Sequence, residues 1–97
     1  MPSVKISDSS NPKKKLMAIF FDDNGKKIKT THFGQKGADD FTKTGDEAQK
    51  KRYLDRHRKN ENWSDYKTAG SLSRYILWNK PTLTASISDY KKRFGLK

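Results

Sequence analysis

Six of the ten residues in Lys50-Lys51-Arg52-Tyr53-Leu54-Asp55-Arg56-His57-Arg58-Lys59 are lysine or arginine, a density of fixed positive charge suited to neutralising phosphates. At about 100° per residue, Tyr53, Leu54 and His57 fall on one side of a helix. Lys51, Arg52, Arg56, Arg58 and Lys59 spread round the other, so packing leaves the cations in solvent. Lys36, inside Gly34-Gln35-Lys36-Gly37, and the run Lys91-Lys92-Arg93 add further candidate phosphate contacts. Five such contacts on duplex DNA predict a logarithmic salt slope of about −4.5. The competing explanation for all of them is a solvated face that serves solubility. No spacing matches a helix-turn-helix, a basic zipper or a zinc finger, so the expected contact is with backbone phosphates and not with bases.

Other residue sets point to chemistry less strongly. Gly34-Gln35-Lys36-Gly37 has the letters of the loop that clamps a nucleic-acid backbone in KH modules, but there it joins two helices and here it follows a strand. Two turn glycines explain it better. His32, Asp39, Asp40 and His57 are types that hold a divalent metal in hydrolytic sites, yet their placement favours packing and capping roles. There is no Ser/His/Asp arrangement, Walker loop or dinucleotide fingerprint, so the expectation is a non-enzymatic protein with no cofactor, no metal and no catalytic residue. The aromatics include Phe33, Phe41, Tyr53, Trp63, Tyr66, Tyr75, Trp78, Tyr90 and Phe94. Most are expected in the core, because a chain with few aliphatics must bury large rings; Trp63, among Asn60, Glu61, Asn62, Ser64 and Asp65, fits that role least.

The elements that position these residues must come from 97 residues with 31% hydrophobic content. That predicts one small domain over 13–97 behind a flexible tail, residues 1–12, which has only Val4 and Ile6 to bury. Leu16 to Phe33 reads as a β-hairpin closed by a two-residue Asn24-Gly25 loop, pairing Phe21 with Ile28, Ile19 with Thr30 and Met17 with His32. Met17, Ile19, Phe21 and Ile28 then share one face, and Leu16, Phe20 and Phe33 lie on the other, where they are either covered or form a contact surface. Thr44 with Glu47 suggests a capping box opening a helix to about Asn60, with Glu47–Lys51 and Asp55–Lys59 pairs along it. A central helix is expected over Ser71–Trp78, broken by Asn79-Lys80-Pro81. The last helix, Leu83–Phe94, carries a stripe of Leu83, Ile87, Tyr90 and Phe94, an exposed Ser/Thr back, and a cap at Gly95. The fold class is therefore α+β: an antiparallel hairpin, with a possible third short strand from the N-terminal segment, packed against about three helices.

With 22 Lys plus Arg against 11 Asp plus Glu, a net charge of +11 attracts polyanions and sets the compact state against itself. The absence of cysteine removes disulfides and thiolate metal sites. No apolar run approaches the roughly 20 residues of a membrane span, and the N-terminus lacks a secretory core, so a soluble, non-secreted protein is expected. Several segments, chiefly His32-Phe33-Gly34, Asp40-Phe41-Thr42, Lys51-Arg52-Tyr53, Glu61-Asn62-Trp63, Thr68-Ala69-Gly70 and Trp78-Asn79-Lys80-Pro81-Thr82-Leu83, resemble a family of small uncharacterised basic proteins encoded by large double-stranded DNA viruses of algae and amoebae. The resemblance covers about Leu16 to Phe94. It implies a viral protein in the virion or the infected host cell, cytoplasm or nucleus, and transfers no catalytic residue. The expected partner is nucleic acid, in genome packaging; the alternative is a minor capsid protein meeting acidic virion proteins. A homodimer is compatible with a small core and a hairpin apolar on both faces.

Overall fold

The computed structural model describes residues 1–97 and is an α+β fold: a three-stranded antiparallel sheet in the order β1-β2-β3, followed by helices. The strands are β1 (Ser3–Asp8), β2 (Lys14–Phe21) and β3 (Lys27–Gln35). Residues 3–8, expected within a flexible tail, are thus an edge strand of the sheet. Val4 sits opposite Phe20 and is buried at 5% exposure, and the backbone of Val4 donates to the Lys97 carbonyl at 3.0 Å. Two apolar residues suffice because the strand borrows a partner on each side for its backbone groups.

The hairpin forms where expected but with a different loop. Gly25 N–H donates to Asp22 O at 3.0 Å and Asp22 N–H to Lys26 O at 2.9 Å, giving a three-residue loop with Gly25 at φ 82°. Asp22 Oδ1 accepts from the backbone N–H of both Asn24 and Lys26, which favours this closure over a two-residue turn. The longer loop displaces the register by one residue, pairing Phe21 with Lys27. A bulge at Ile28 then restores it, so that Ile19 faces Thr30 and Met17 faces His32 as expected. Ile28 has no partner and is 51% exposed.

Leu16, Ala18, Phe20 and Phe33 form the core face of the sheet, with Phe20 and Phe33 at 1% exposure. They are therefore no free contact surface. Met17, Ile19 and Phe21 lie on the outer face, half-buried. Against the inner face pack Leu72, Ile76, Leu77, Trp78, Tyr90 and Leu96.

Asp40, not Thr44, opens the helical half: it caps the single turn α1 (Phe41–Thr44), which Gly45 ends in the left-handed region. Asp46 caps α2 (Glu47–His57), accepting from the N–H of Ala48 and Gln49, so the expected Thr44 capping box is replaced by two aspartate caps. Helix α3 (Ala69–Leu72) widens into a π-helical turn, Ser73–Leu77, with Trp78 N–H bonding to Ser73 O at 3.0 Å. Thr82 caps α4 (Leu83–Phe94), which ends at Gly95. The expected exposed back of α4 is interrupted by Ser86, fully buried because its hydroxyl accepts from Lys80 N–H at 2.9 Å. Tyr90 is also fully buried, with its hydroxyl donating to Tyr66 O. No helix is long and apolar enough to cross a membrane.

Val4→Ala should lower the unfolding free energy by about 1.5 kcal/mol in urea titrations, since it removes two buried methyl groups. A frayed tail would leave the midpoint unchanged.

Candidate nucleic-acid interface

Helix α2 buries no residue completely, so a few contacts hold it. The Tyr53 ring stacks on Trp78 at 4.3 Å with planes 8° apart, and His57 stacks on the other side of Tyr53 at 4.2 Å. Burial, then the Glu61 carboxylate, pushes the Tyr53 phenol up to about 12. Lys50, the first cation of the basic run, is structural: its ammonium donates to Asn79 O at 2.7 Å and lies over the Phe41 ring.

These contacts turn Lys51, Arg52, Arg56, Arg58 and Lys59 to solvent, and all five are exposed. Lys51 pairs with Asp55 at 2.8 Å, in place of the expected Glu47–Lys51 and Asp55–Lys59 pairs. The Asp55 carboxyl is held below its ordinary range by the hydrogen bond from Lys51, with Lys51 and Arg58 adding attraction. Arg52, Arg56, Arg58 and Lys59 make no salt bridge, although Asp55, already paired with Lys51, also attracts Arg58, which leaves a net excess of cations on α2 and just beyond its end.

Lys91, Lys92 and Arg93 occupy the last turn of α4, where cations favour the negative end of the helix dipole. Arg93 Nη2 reaches Asp89 at 3.3 Å, and its guanidinium lies 4.7 Å from the centre of the Tyr75 ring. Asp89 also accepts from Asn79 Nδ2 at 2.6 Å. That bond, then Arg93, holds its carboxyl below the ordinary range.

The link between α2 and α4 is Arg74, which sequence reasoning missed. Its guanidinium sits 5.5 Å from the Trp63 ring and 5.0 Å from Tyr75, and Nη1 donates to Trp78 O at 3.1 Å. Burial, then repulsion from Arg93 and Arg58, holds it below the ordinary arginine value. Arg58 and Arg93, from separate segments, thus both act on Arg74. The available signal was a lone cation inside the apolar segment Leu72–Trp78, together with a tryptophan stranded in a polar loop. Lys36 is not brought to this face. It lies in the turn after β3, lining a separate recess with Asp8, Lys15 and Thr42.

A cleft of about 450 Å³ opens beside α2, lined by Lys14, Lys15, Arg56, His57, Glu61 and Gly70 among others. In it His57 Nδ1 lies 3.2 Å from Glu61 Oε1, and Trp63 Nε1–H donates to Glu61 Oε2 at 2.9 Å. Glu61 packs so closely on Gly70 that a Cβ there would lie 2.6 Å from its Oε2. Of the other metal-type residues, His32 bonds to Ser9 Oγ at 2.6 Å, Asp39 pairs with Lys43 at 3.5 Å, and Asp40 pairs with Lys15. No three His, Asp or Glu side chains are grouped closely enough to hold a metal ion. Gly34, in the KH-like letters, adopts φ 79°, and a Cβ on it would lie 2.8 Å from Leu77 Cδ1. Close strand-to-helix packing therefore requires this glycine.

A family model described as a family of unknown function (DUF5754) matches residues 4–57, more than half of the chain. The match takes in the sheet from Val4 onward and α2, and it ends before Arg74 and before Trp78-Asn79-Lys80-Pro81-Thr82-Leu83. No curated protein and no solved structure matches the chain.

Asp89 has a depressed folded-state pKa, so its contribution to stability is complete above the unfolded value and is lost as pH falls through the folded one. Stability measured from about pH 5 down to about pH 2 should therefore fall less steeply in Asp89→Asn than in the wild type. Equal slopes would show that Asp89 gains nothing from Asn79 and Arg93.

Proposed function

The chain belongs to DUF5754, a family of unknown function, and we propose that it is a non-enzymatic protein that binds nucleic acid through backbone phosphates. The observation that carries this reading is the outer face of α2 and the residues just beyond its end, where Arg52, Arg56, Arg58 and Lys59 are exposed and make no salt bridge. Cations committed to structure are tied down, as Lys15 and Lys50 are. A helix that leaves a net excess of cations on an already repulsive molecule is stabilised by a polyanion, which removes the repulsion and releases counterions. Lys91 and Lys92 extend the same sign of charge on α4, and Lys36 does so on the turn after β3.

The resemblance of Trp78-Asn79-Lys80-Pro81-Thr82-Leu83 and the other motifs to proteins of large double-stranded DNA viruses supports a place in genome packaging, within the virion or the infected host cell. The alternative, a minor capsid protein contacting acidic virion proteins, relies on the same cations. It loses the apolar surface that would have favoured it, because Phe20 and Phe33 are buried.

Gel-shift titrations in rising salt should show tight binding at low salt and a logarithmic slope of about −4.5 for five phosphate contacts. Replacing Arg52, Arg56 and Lys59 together by glutamate should weaken binding at least about 100-fold without moving the thermal midpoint by more than a few degrees. Binding absent at low salt, or flat with salt, would overturn the reading. A capsid role predicts that the triple variant disturbs virion assembly instead.

A further inference from the structure

We propose that Arg74, with the Trp63 ring beside it and Arg93 on the same Tyr75 ring, forms a site for one unpaired nucleotide, its phosphate on the Arg74 guanidinium and its base on the indole. The protein would then prefer single-stranded nucleic acid to duplex. This rests on the nucleic-acid reading above and adds a strand preference that the α2 cations alone do not supply.

The first ground is the electrostatic state of Arg74. It makes no salt bridge, and its Nε is buried without any hydrogen-bond partner. Arg74 and Arg93 both lie on the Tyr75 ring, 5.0 and 4.7 Å from its centre. Aromatic contact offsets part of the cost of withdrawing a guanidinium from water, but two such groups on one ring repel each other. The carboxylate at hand, Asp89, is already engaged by Arg93 and by Asn79. The site is therefore short of negative charge on the side of Arg74. A phosphate supplies it in the geometry a planar guanidinium fork best accepts.

The second ground is Trp63. It is half-buried in the otherwise polar stretch Asn60–Asp65, and its indole N–H is fixed by Glu61 at 2.9 Å. One side of the ring covers Arg74. A ring held rigidly beside an uncompensated guanidinium is the pairing that single-strand binders use, the ring taking the base and the cation its phosphate. Bases within a duplex are already stacked and cannot reach it.

The test is fluorescence titration of the full chain with an oligo-thymidine of about 12 nucleotides and a duplex of the same length at one salt concentration. The proposal expects the single strand to bind at least about 10-fold more tightly and to quench tryptophan emission, since Trp78 is buried and cannot respond directly. Arg74→Lys, which keeps the charge and loses the fork, should weaken single-strand binding about 10-fold and leave duplex binding within about twofold. Trp63→Leu should do the same, and it decides the matter if Arg74→Lys lowers the thermal midpoint. Equal affinity for the two forms, or variants that shift both forms alike, would overturn the proposal while salt-dependent duplex binding left the α2 reading standing. Loss of salt-dependent binding to both forms would overturn the two together.

Discussion

Trp78 is the surface on which the basic helix rests. Helix α2 has no fully buried side chain, and the near-parallel stack of Tyr53 on Trp78, with His57 on its far side, ties it to the body of the protein. Ring pairs of this kind contribute about 0.5–1.5 kcal/mol beyond the area they bury. That is a slender anchor for a segment whose own cations repel one another and the rest of a chain carrying +11. The most charged element is thus also among the most lightly held. An anion bound to its outer face would clamp the helix to the core as well as occupy it, because binding to the folded state alone adds to stability.

The polar residues around Trp78 explain why so light an anchor is well directed. Asn79 Nδ2 donates to Tyr75 O and to Asp89, while the Asn79 carbonyl accepts from Lys50 of α2. Ser86 holds the backbone of Lys80, and Thr82 caps α4. The segment Trp78–Thr82 is therefore a junction that fixes the π-helical turn, α2 and α4 relative to one another. Its unusual wording follows from having to satisfy three elements at once.

Much of this was legible in the residues, and the failures have physical causes. Asn24-Gly25 marked the hairpin, and the bulge at Ile28 returned the strands to the register expected at Ile19 and Met17. Which face would be buried was not legible, because both alternating sets are apolar. The choice was made by what packs on the sheet, Leu72, Ile76 and Leu77 from a distant segment. The N-terminal strand was foreseen only as a possible addition and its residues were assigned to a tail, because its stability comes from pairing with β2 and with the backbone at Lys97, not from its own composition. The exposed cations of α2 followed from helical periodicity alone. Arg74 did not, since its meaning lies in meeting Trp63, Tyr75 and Arg93, and such convergence belongs to the tertiary fold.

The π-helical turn over Ser73–Leu77 carries a consequence for how this chain can change. It accommodates one residue more than an α-helical turn would, so that Trp78 N–H reaches back five residues to Ser73 O. Each residue added to or taken from a helix rotates everything after it by about 100°. A residue added or removed that the π-helical turn does not absorb would therefore swing the indole away from Tyr53 while leaving a respectable helix in place. The segment can drift in side-chain identity, but its count of residues sets the phase between the core and the basic helix.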